Sequence, residues 1–242
     1  MTIVPAQPDT RFYLDHHDVS GFLNAGNQSW DSELIESGNF LTAAPVTTAS
    51  GKYTEKAGET ILFDGAVNQI DAILEALAYT DAPHYRGRAW GAHAEGNVAY
   101  ETIEKLVSKP IAASEGQLLM INAAWAQAGP TSRGKILRNA TVVATGSGPG
   151  QNQGAIVPAT AIYQAVIRVL GGVFTSITVE VHQSATDSGY ALMAGMTHTF
   201  TAPGVVRLTF TGASSAWKRA VVTAFAGTNA IVVVTGGRVH GT

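Results

Sequence analysis

Two short stretches of strict alternation constrain this chain most. In Ile177-Thr-Val-Glu-Val181-His and again in Val206-Arg-Leu-Thr-Phe210-Thr, apolar and polar side chains change places at every step. A period of two gathers the apolar groups on one side of an extended backbone and on no single face of a helix, so both segments read as strands half covered by a core. Residues 163–170, 217–225 and 231–239 extend the pattern, with Gly, Ser and Asn turns at the intervals of a β-sandwich. Residues 155–242 are therefore predicted to be all β. Within them the uncharged stretch 220–237 divides at Gly227-Thr-Asn229 into two β-branched runs. Residues 139–167, also poor in charge, contain Pro149, Pro158 and four glycines, and neither stretch suits a transmembrane helix.

The first half of the chain mixes signals. Residues 11–23 read as a strand entering a turn, and residues 28–35 as a second extended stretch. Residues 37–59 hold Gly, Ser, Thr, Ala and Pro45 with few large apolar side chains, which predicts a long loop or extended hairpin ordered by a partner. Residues 66–79 carry Val67, Ile70, Ile73, Leu74 and Leu77 at helical spacing, with Asp64 as a cap and Thr80-Asp-Ala-Pro83 as a stop. Strands are expected at 85–92 and 117–127. Over 98–107 the spacing of Val98, Ile103 and Leu106 fits a strand or a short helix. Gly146-Ser-Gly148-Pro-Gly150-Gln-Asn-Gln-Gly154 reads as a linker, dividing a domain of residues 1–145 from one of residues 146–242.

Charge is sparse and unevenly placed. Only 14% of residues are Asp, Glu, Lys or Arg, against about 25% in ordinary soluble domains, while 45% are apolar. Residues 1–130 carry 7 Lys and Arg against 16 Asp and Glu, a net of −9, and residues 131–242 carry 8 against 2, a net of +6. A cut at 145 moves Arg133, Lys135 and Arg138 across, giving −6 and +3. With no cysteine, the chain has no disulfide, thiolate metal site or cysteine nucleophile. Its first residues, Met1-Thr-Ile-Val-Pro5, lack the basic start and apolar run of a signal peptide.

The apparent motifs for chemistry fail on inspection. Gly129-Pro-Thr-Ser-Arg-Gly134-Lys135 approaches a phosphate loop, but Ile136 lacks the hydroxyl that binds magnesium, and strand-like residues follow where a helix belongs. Gly146, Gly148 and Gly150 imitate a dinucleotide fingerprint with a misplaced third glycine. His16-His17-Asp18 puts neighbouring imidazoles on opposite faces of a strand, without a second cluster to complete a metal shell. No G-x-S-x-G occurs, and the pairs Asp31 with Glu33 and Glu101 with Glu104 suit a solvated strand face better than a glycosidase site. No catalytic, cofactor or metal residue is assigned.

The segment Arg11-Phe-Tyr-Leu-Asp-His-His-Asp18-Val-Ser-Gly-Phe-Leu-Asn24 resembles the "L-D-x-x-D-[LV]-S-G-[YF]-L-N" opening of tail tube proteins of long-tailed bacteriophages. The order that follows is similar too: a long loop, one amphipathic helix and a strand ending in Gln127-Ala-Gly-Pro130-Thr-Ser-Arg133-Gly134. Further on, Tyr163-Gln-Ala-Val-Ile-Arg-Val169, Ile177-Thr-Val-Glu-Val181-His-Gln-Ser184 and Trp217-Lys-Arg219-Ala220-Val221 resemble a β-sandwich appended to some of these proteins, although Ala220 interrupts its "W-x-R-V" strand.

The resemblance implies a mainly β chain. Its first part is a tail-tube-like β-sandwich or barrel with one helix, and its second an antiparallel sandwich of immunoglobulin or jelly-roll type. It implies a structural virion protein made in the bacterial host cytoplasm, forming rings, commonly hexameric, that stack into a tube with other tail proteins at its ends. Double-stranded DNA passes through without specific binding, and neither cofactor nor membrane is involved.

Low charge suits obligate interfaces, and an acidic wall repels DNA phosphates. On this reading Asp31, Glu33 and Glu36 face the lumen. Ser37, Asn39, Phe40, Thr47, Lys52 and Tyr53 belong to a loop that contacts a neighbouring ring or subunit, and Arg133, Lys135 and Arg138 meet acidic neighbours. A rival expectation makes the chain a carbohydrate- or receptor-binding tail component, with Trp217, Tyr190 and Tyr163 as stacking aromatics. Alternation favours a core position for Tyr163 and Trp217.

Overall fold

The computed structural model describes residues 11–37, 46–62, 70–78, 84–89, 94–112, 119–154 and 161–240, with 23–37, 46–59, 112 and 240 described by their backbone alone. The chain is mainly β with one helix. In order come β1 (Arg11–Leu14), β2 (His17–Asp18), a 3-10 turn at Ser20–Phe22, β3 (Leu23–Ser37), β4 (Val46–Leu62), α1 (Ile70–Ala78), β5 (His84–Ala89) and β6 (Val98–Ser108). Then follow β7 (Ile111–Ala112), β8 (Met120–Gln127), β9 (Thr131–Val142), β10 (Gly146–Ser147), β11 (Gln151–Asn152), β12 (Ile162–Ser184), β13 (Ala191–Phe200), β14 (Gly204–Thr211) and β15 (Trp217–His240).

The chain divides into two units that interleave in sequence. The larger takes in Met1–Gly21, Tyr85–Thr102 and Thr131–His240, and the smaller Phe22–His84 and Ile103–Pro130. The larger unit thus contains both sides of 145/146, where the sequence suggested a boundary. Its continuity has a visible cause: β9 pairs with β15 from Thr131–His240 to Val142–Ala230, binding the start of the segment to its end. The Gly-rich stretch expected to be a linker instead supplies β10 and β11, which pair with β15 at Val221–Val222 and Trp217–Lys218.

In the larger unit the strand order is β13-β12-β15-β9-β6-β5-β1-β2. The long strands β12 and β15 pair antiparallel along their whole length, from Tyr163–Arg238 to Ser184–Trp217. Lys218 and Tyr163 lie at opposite ends of that ladder, yet the Lys218 Nζ is 5.2 Å from the Tyr163 ring centroid. A straight ladder of some twenty residues would separate them by about 65 Å. Both strands therefore fold over, so that one stretch of each serves each layer of a sandwich. The fold lies where register shifts cluster, between Val169 and Ser176. Gly172 sits there at φ +129°, and a Cβ on it would come 2.4 Å from the Asn229 carbonyl oxygen.

Bulges, not turns, occupy the glycine positions, and β15 runs unbroken through Gly227-Thr-Asn229, where two separate runs were expected. Tyr163, Ala165, Ile167 and Val169 meet Ile177, Val179 and Val181 in one core with Met193, Met196, Val232 and Val234. β14 pairs with the first part of β12 and β13 with the last; the two alternating segments are strands as expected, lying in β12 and β14.

In the smaller unit β3 and β4 form a hairpin of 15 and 17 residues, paired from Leu23–Ile61 to Ser37–Val46. β8 joins β4 only from Lys56 to Leu62. The periodic segment at 66–79 yields a helix over Ile70–Ala78 with Ile70 and Leu74 buried, while Asp64, Val67 and the stop at Thr80 lie outside the described residues. Lys109, after β6, reaches the carboxylates of Glu75 and Asp71 on α1. Residues 98–107 form a strand, paired with β9 from Val98–Lys135 to Glu101–Ser132; the period is ambiguous because burial runs unbroken from Glu101 to Glu104.

Candidate interaction surfaces

A buried ionic cluster lies inside the larger unit. Arg168, from the apolar run of β12, is fully buried and meets Glu101 of β6 through two hydrogen bonds, Nη1 to Oε1 at 2.6 Å and Nη2 to Oε2 at 2.7 Å. Its Nε donates to the Asp15 carbonyl at 2.6 Å and its Nη2 to the Tyr85 carbonyl at 3.3 Å. The Thr235 hydroxyl of β15 donates to Glu101 Oε1 at 2.6 Å. The Tyr13 ring lies 5.3 Å from the guanidinium carbon, and burial first, then the Asp18 charge, push its hydroxyl pKa up. Both Glu101 oxygens are occupied by donors, so Glu101 and Glu104 do not form the acid pair considered from sequence. The cluster ties together five segments, β5, β6, β12, β15 and the turn after β1, and is structural.

The signature near the N-terminus folds for equally local reasons. Asp15 stands at φ +49°, a left-handed position that Asp tolerates. Its N–H donates to the Tyr85 carbonyl at 2.9 Å, and its Oδ1 accepts from the Tyr85 N–H at 2.8 Å. Asp18 Oδ1 accepts from the Ser20 N–H at 3.0 Å and from the Ser20 hydroxyl, whose oxygen accepts from the Phe12 N–H at 2.8 Å. Val19 N–H closes the turn on the Phe12 carbonyl. The D-x-x-D-x-S spacing thus encodes a turn. His16 and His17 do not point to opposite faces as expected of a strand: His16 lies in the turn, and the two rings come together, centroids 4.1 Å apart and tilted by 35°. Burial is the main influence lowering their pKa values.

The expected basic residues share one strand and, through a bulge, one face. Arg133 pairs with Arg238 and Lys135 with Gly236; the register then shifts so that Arg138 meets Val234. Residues 234, 236 and 238 of β15 alternate onto one side; it is the core side farther along the ladder, where Val234 is buried and a Cβ on Gly236 would meet Tyr163 and Leu137, so that only its end at Arg133 and Arg238 is exposed. Arg238 was not anticipated, because 105 positions separate it from Arg133 and only the ladder joins them. Arg133 and Arg238 are both exposed, and the Arg133 guanidinium carbon is 5.9 Å from the ring of Tyr100, its partner on β6.

The acidic trio lies on β3. Asp31 pairs with Thr54 and Glu36 with Thr47, while Glu33 falls in the irregularity between the pairs Ser32–Tyr53 and Leu34–Ala49. Of the expected contact residues, Ser37 ends β3, Thr47, Lys52 and Tyr53 are in β4, and Asn39 and Phe40 lie outside the described residues. Counted by unit, charge separates cleanly: the larger has 11 Lys and Arg against 7 Asp and Glu, net +4, and the smaller 4 against 11, net −7.

The aromatics suggested as a glycan platform are occupied. Tyr163 is fully buried, the Arg219 guanidinium carbon is 4.2 Å from the Tyr190 ring, and Trp217 is half-buried in the ladder between Asn152 and Ser184. The Tyr190 hydroxyl donates to Asp187 at 2.5 Å, and its pKa is pushed up to about 12 by burial and by that carboxylate. Lys218 is fully buried with its ammonium on the Ser215 carbonyl, and burial pulls its pKa down to about 8. Among the described residues no group of three His, Asp or Glu could hold a metal ion, and no helix is long and apolar enough to cross a membrane.

No family model matches the chain, and no curated protein matches it. Solved structures with similarity include a chain from the virion of a native gene transfer agent particle, at 13% identity and a TM-score of 0.45, covering 54% of this chain and 98% of that one. The Dit protein of phage SPP1, described as part of a hub adsorption apparatus in phages infecting Gram-positive bacteria, aligns at 11% identity and a TM-score of 0.38, over 95% of this chain and 98% of its own. An insecticidal delta-endotoxin of Bacillus thuringiensis aligns at 11% identity and a TM-score of 0.23, over 92% of this chain and 43% of its own. At these identities and TM-scores none of the three assigns a family or a function to this chain.

Proposed function

We propose that this chain is a structural subunit of a long-tailed phage tail that assembles with copies of itself into stacked rings around a DNA channel. The observation that carries the reading is the β3–β4 hairpin. Residues 30–37 and 46–55 pair with each other and, among the described residues, with no third strand. A two-stranded ribbon of about 25 Å is marginal in water and leaves rows of unpaired N–H and C=O groups on both edges. A second subunit that adds strands to those edges completes it.

The charge distribution supports the same reading. The hairpin belongs to the unit of net −7 and carries Asp31, Glu33 and Glu36, which we assign to the channel wall, where negative charge repels a passing duplex. The N-terminal signature that resembles tail tube proteins leads straight into this hairpin. Negative-stain microscopy of the concentrated protein tests the proposal. Rings or tubes are expected, and a variant in which an Asn-Gly turn joins Gln28 to Ala57 is expected to remain monomeric. Compact monomers of the intact protein at every concentration and salt would overturn it.

A further inference from the structure

We infer that Arg133, Arg238 and Lys135, at the exposed end of the β9–β15 ladder, form a binding site for a single phosphate group. The site goes beyond the assembly reading and stands whether or not rings form. Arg133 and Arg238 are directly opposite each other on adjacent antiparallel strands, where two like charges repel. Lys135 is opposite Gly236, two residues further along the same side, so the three cations lie within about 7 Å of strand length. Arg133 and Arg238 are exposed and Lys135 is half-buried, and none of the three has a carboxylate partner among the described residues.

The buried floor beneath them is also short of acceptors. Tyr163 of β12 pairs with Arg238 and is fully buried, and its hydroxyl oxygen lies over Gly236, 2.2 Å from where a Cβ would stand. The Gln153 side chain is beside that hydroxyl, and neither the hydroxyl nor the Gln153 Nε2 has a partner at hydrogen-bond distance. Lys218 is fully buried with its Nζ 5.2 Å from the Tyr163 ring centroid, and it has no carboxylate partner among the described residues. One buried ammonium thus lies below three outer cations, and its field is weakly screened by water. An anion held between Arg133 and Arg238 relieves their repulsion and supplies the negative charge that this end of the ladder lacks.

Two guanidinium forks and an ammonium suit the several oxygens and the charge of about −2 on a phosphate better than one carboxylate. The cations end within this short stretch, and the larger unit has a net charge of only +4. That fits one phosphate group and not the basic stripe that tracks a nucleic-acid backbone.

Isothermal titration of the full chain with inorganic phosphate and with glycerol phosphate tests this, with chloride at matched ionic strength as the reference. The wild type is expected to bind one phosphate group per chain and to melt higher in phosphate than in chloride. R133Q/R238Q is expected to bind at least about tenfold more weakly. Without phosphate it is expected to melt no lower than the wild type, because it loses a repulsion and no partner. Tighter binding of glycerol phosphate supports an organic phosphate ester as the source, and tighter binding of inorganic phosphate the free ion. Absence of binding to the wild type, equal binding by the variant, or equal stabilisation by chloride would overturn the inference. So would a short DNA duplex that binds the wild type more tightly than either phosphate and is lost in R133Q/R238Q, since the surface would then be one for nucleic acid.

Discussion

Arg168 and Glu101 share two parallel hydrogen bonds of 2.6 and 2.7 Å, with side chains 0% and 4% exposed. Each partner has lost its hydration and depends on the other. Replacing Glu101 with Gln leaves a buried guanidinium without its counter-charge and is expected to cost about 3–5 kcal/mol in denaturant unfolding. Replacing both, as Arg168→Met with Glu101→Leu, is expected to recover most of that loss. A double replacement as damaging as the single one would show that the ion pair itself, not the stranded charge, is what the fold needs.

Gly87 is part of the same arrangement. A Cβ on it would stand 2.8 Å from both Arg168 Nη2 and Glu101 Oε1. Gly87→Ala is therefore expected to destabilise the protein by about 1–3 kcal/mol, because the guanidinium and carboxylate must part to admit a methyl group. Thermal melts of G87A, alone and combined with Glu101→Leu and Arg168→Met, test the cause. The penalty should shrink once the ion pair is gone.

Stability is expected to rise as the solution turns mildly alkaline. Burial lowers the Lys218 pKa to about 8 from 10.5, so between these values the unfolded chain keeps a proton that the folded chain has released. The cost of hiding the charge is full below pH 8 and fades as pH rises through that value. Linkage gives a gain of about 2 kcal/mol between about pH 7 and 9.5. Tyr13 and Tyr163, whose hydroxyl pKa values burial pushes up, oppose this only near and above pH 10. Melting curves across this range should show the rise in the wild type and its loss in Lys218→Met.

The turn after β1 offers a local test. Asp18→Ala removes the acceptor for both the N–H and the hydroxyl of Ser20 and is expected to cost about 1–2 kcal/mol. Hydrogen exchange should speed at the amides of Phe12 and Val19, while the β12–β15 ladder keeps its protection.

Local periodicity made α1 and the alternating parts of β12 and β14 legible. It failed where the backbone departs from its period without ending an element. Gly171, Gly172 and Gly227 have the composition of turns, yet they serve bulges and the fold-over of one long ladder. The same rule misread Gly146 to Gly154, which lie along β15 as short strands. Arg168 gave a signal that went unused: one charge inside Val166-Ile-Arg-Val169 asks for a buried partner, but Glu101 is 67 residues away. The basic face was half visible for a similar reason. Arg133, Lys135 and Arg138 are close in sequence, whereas Arg238 joins them only through pairing.

The interleaving of the two units also sets an order of events on the ribosome. By the time Pro130 has emerged, every segment needed for the acidic hairpin and its supporting strands is available. The larger unit must wait for β15, and Glu101 stays without Thr235 until that strand has emerged. A growing chain therefore has all the segments of the smaller unit at hand while the buried guanidinium and carboxylate of the larger one still lack their last partner.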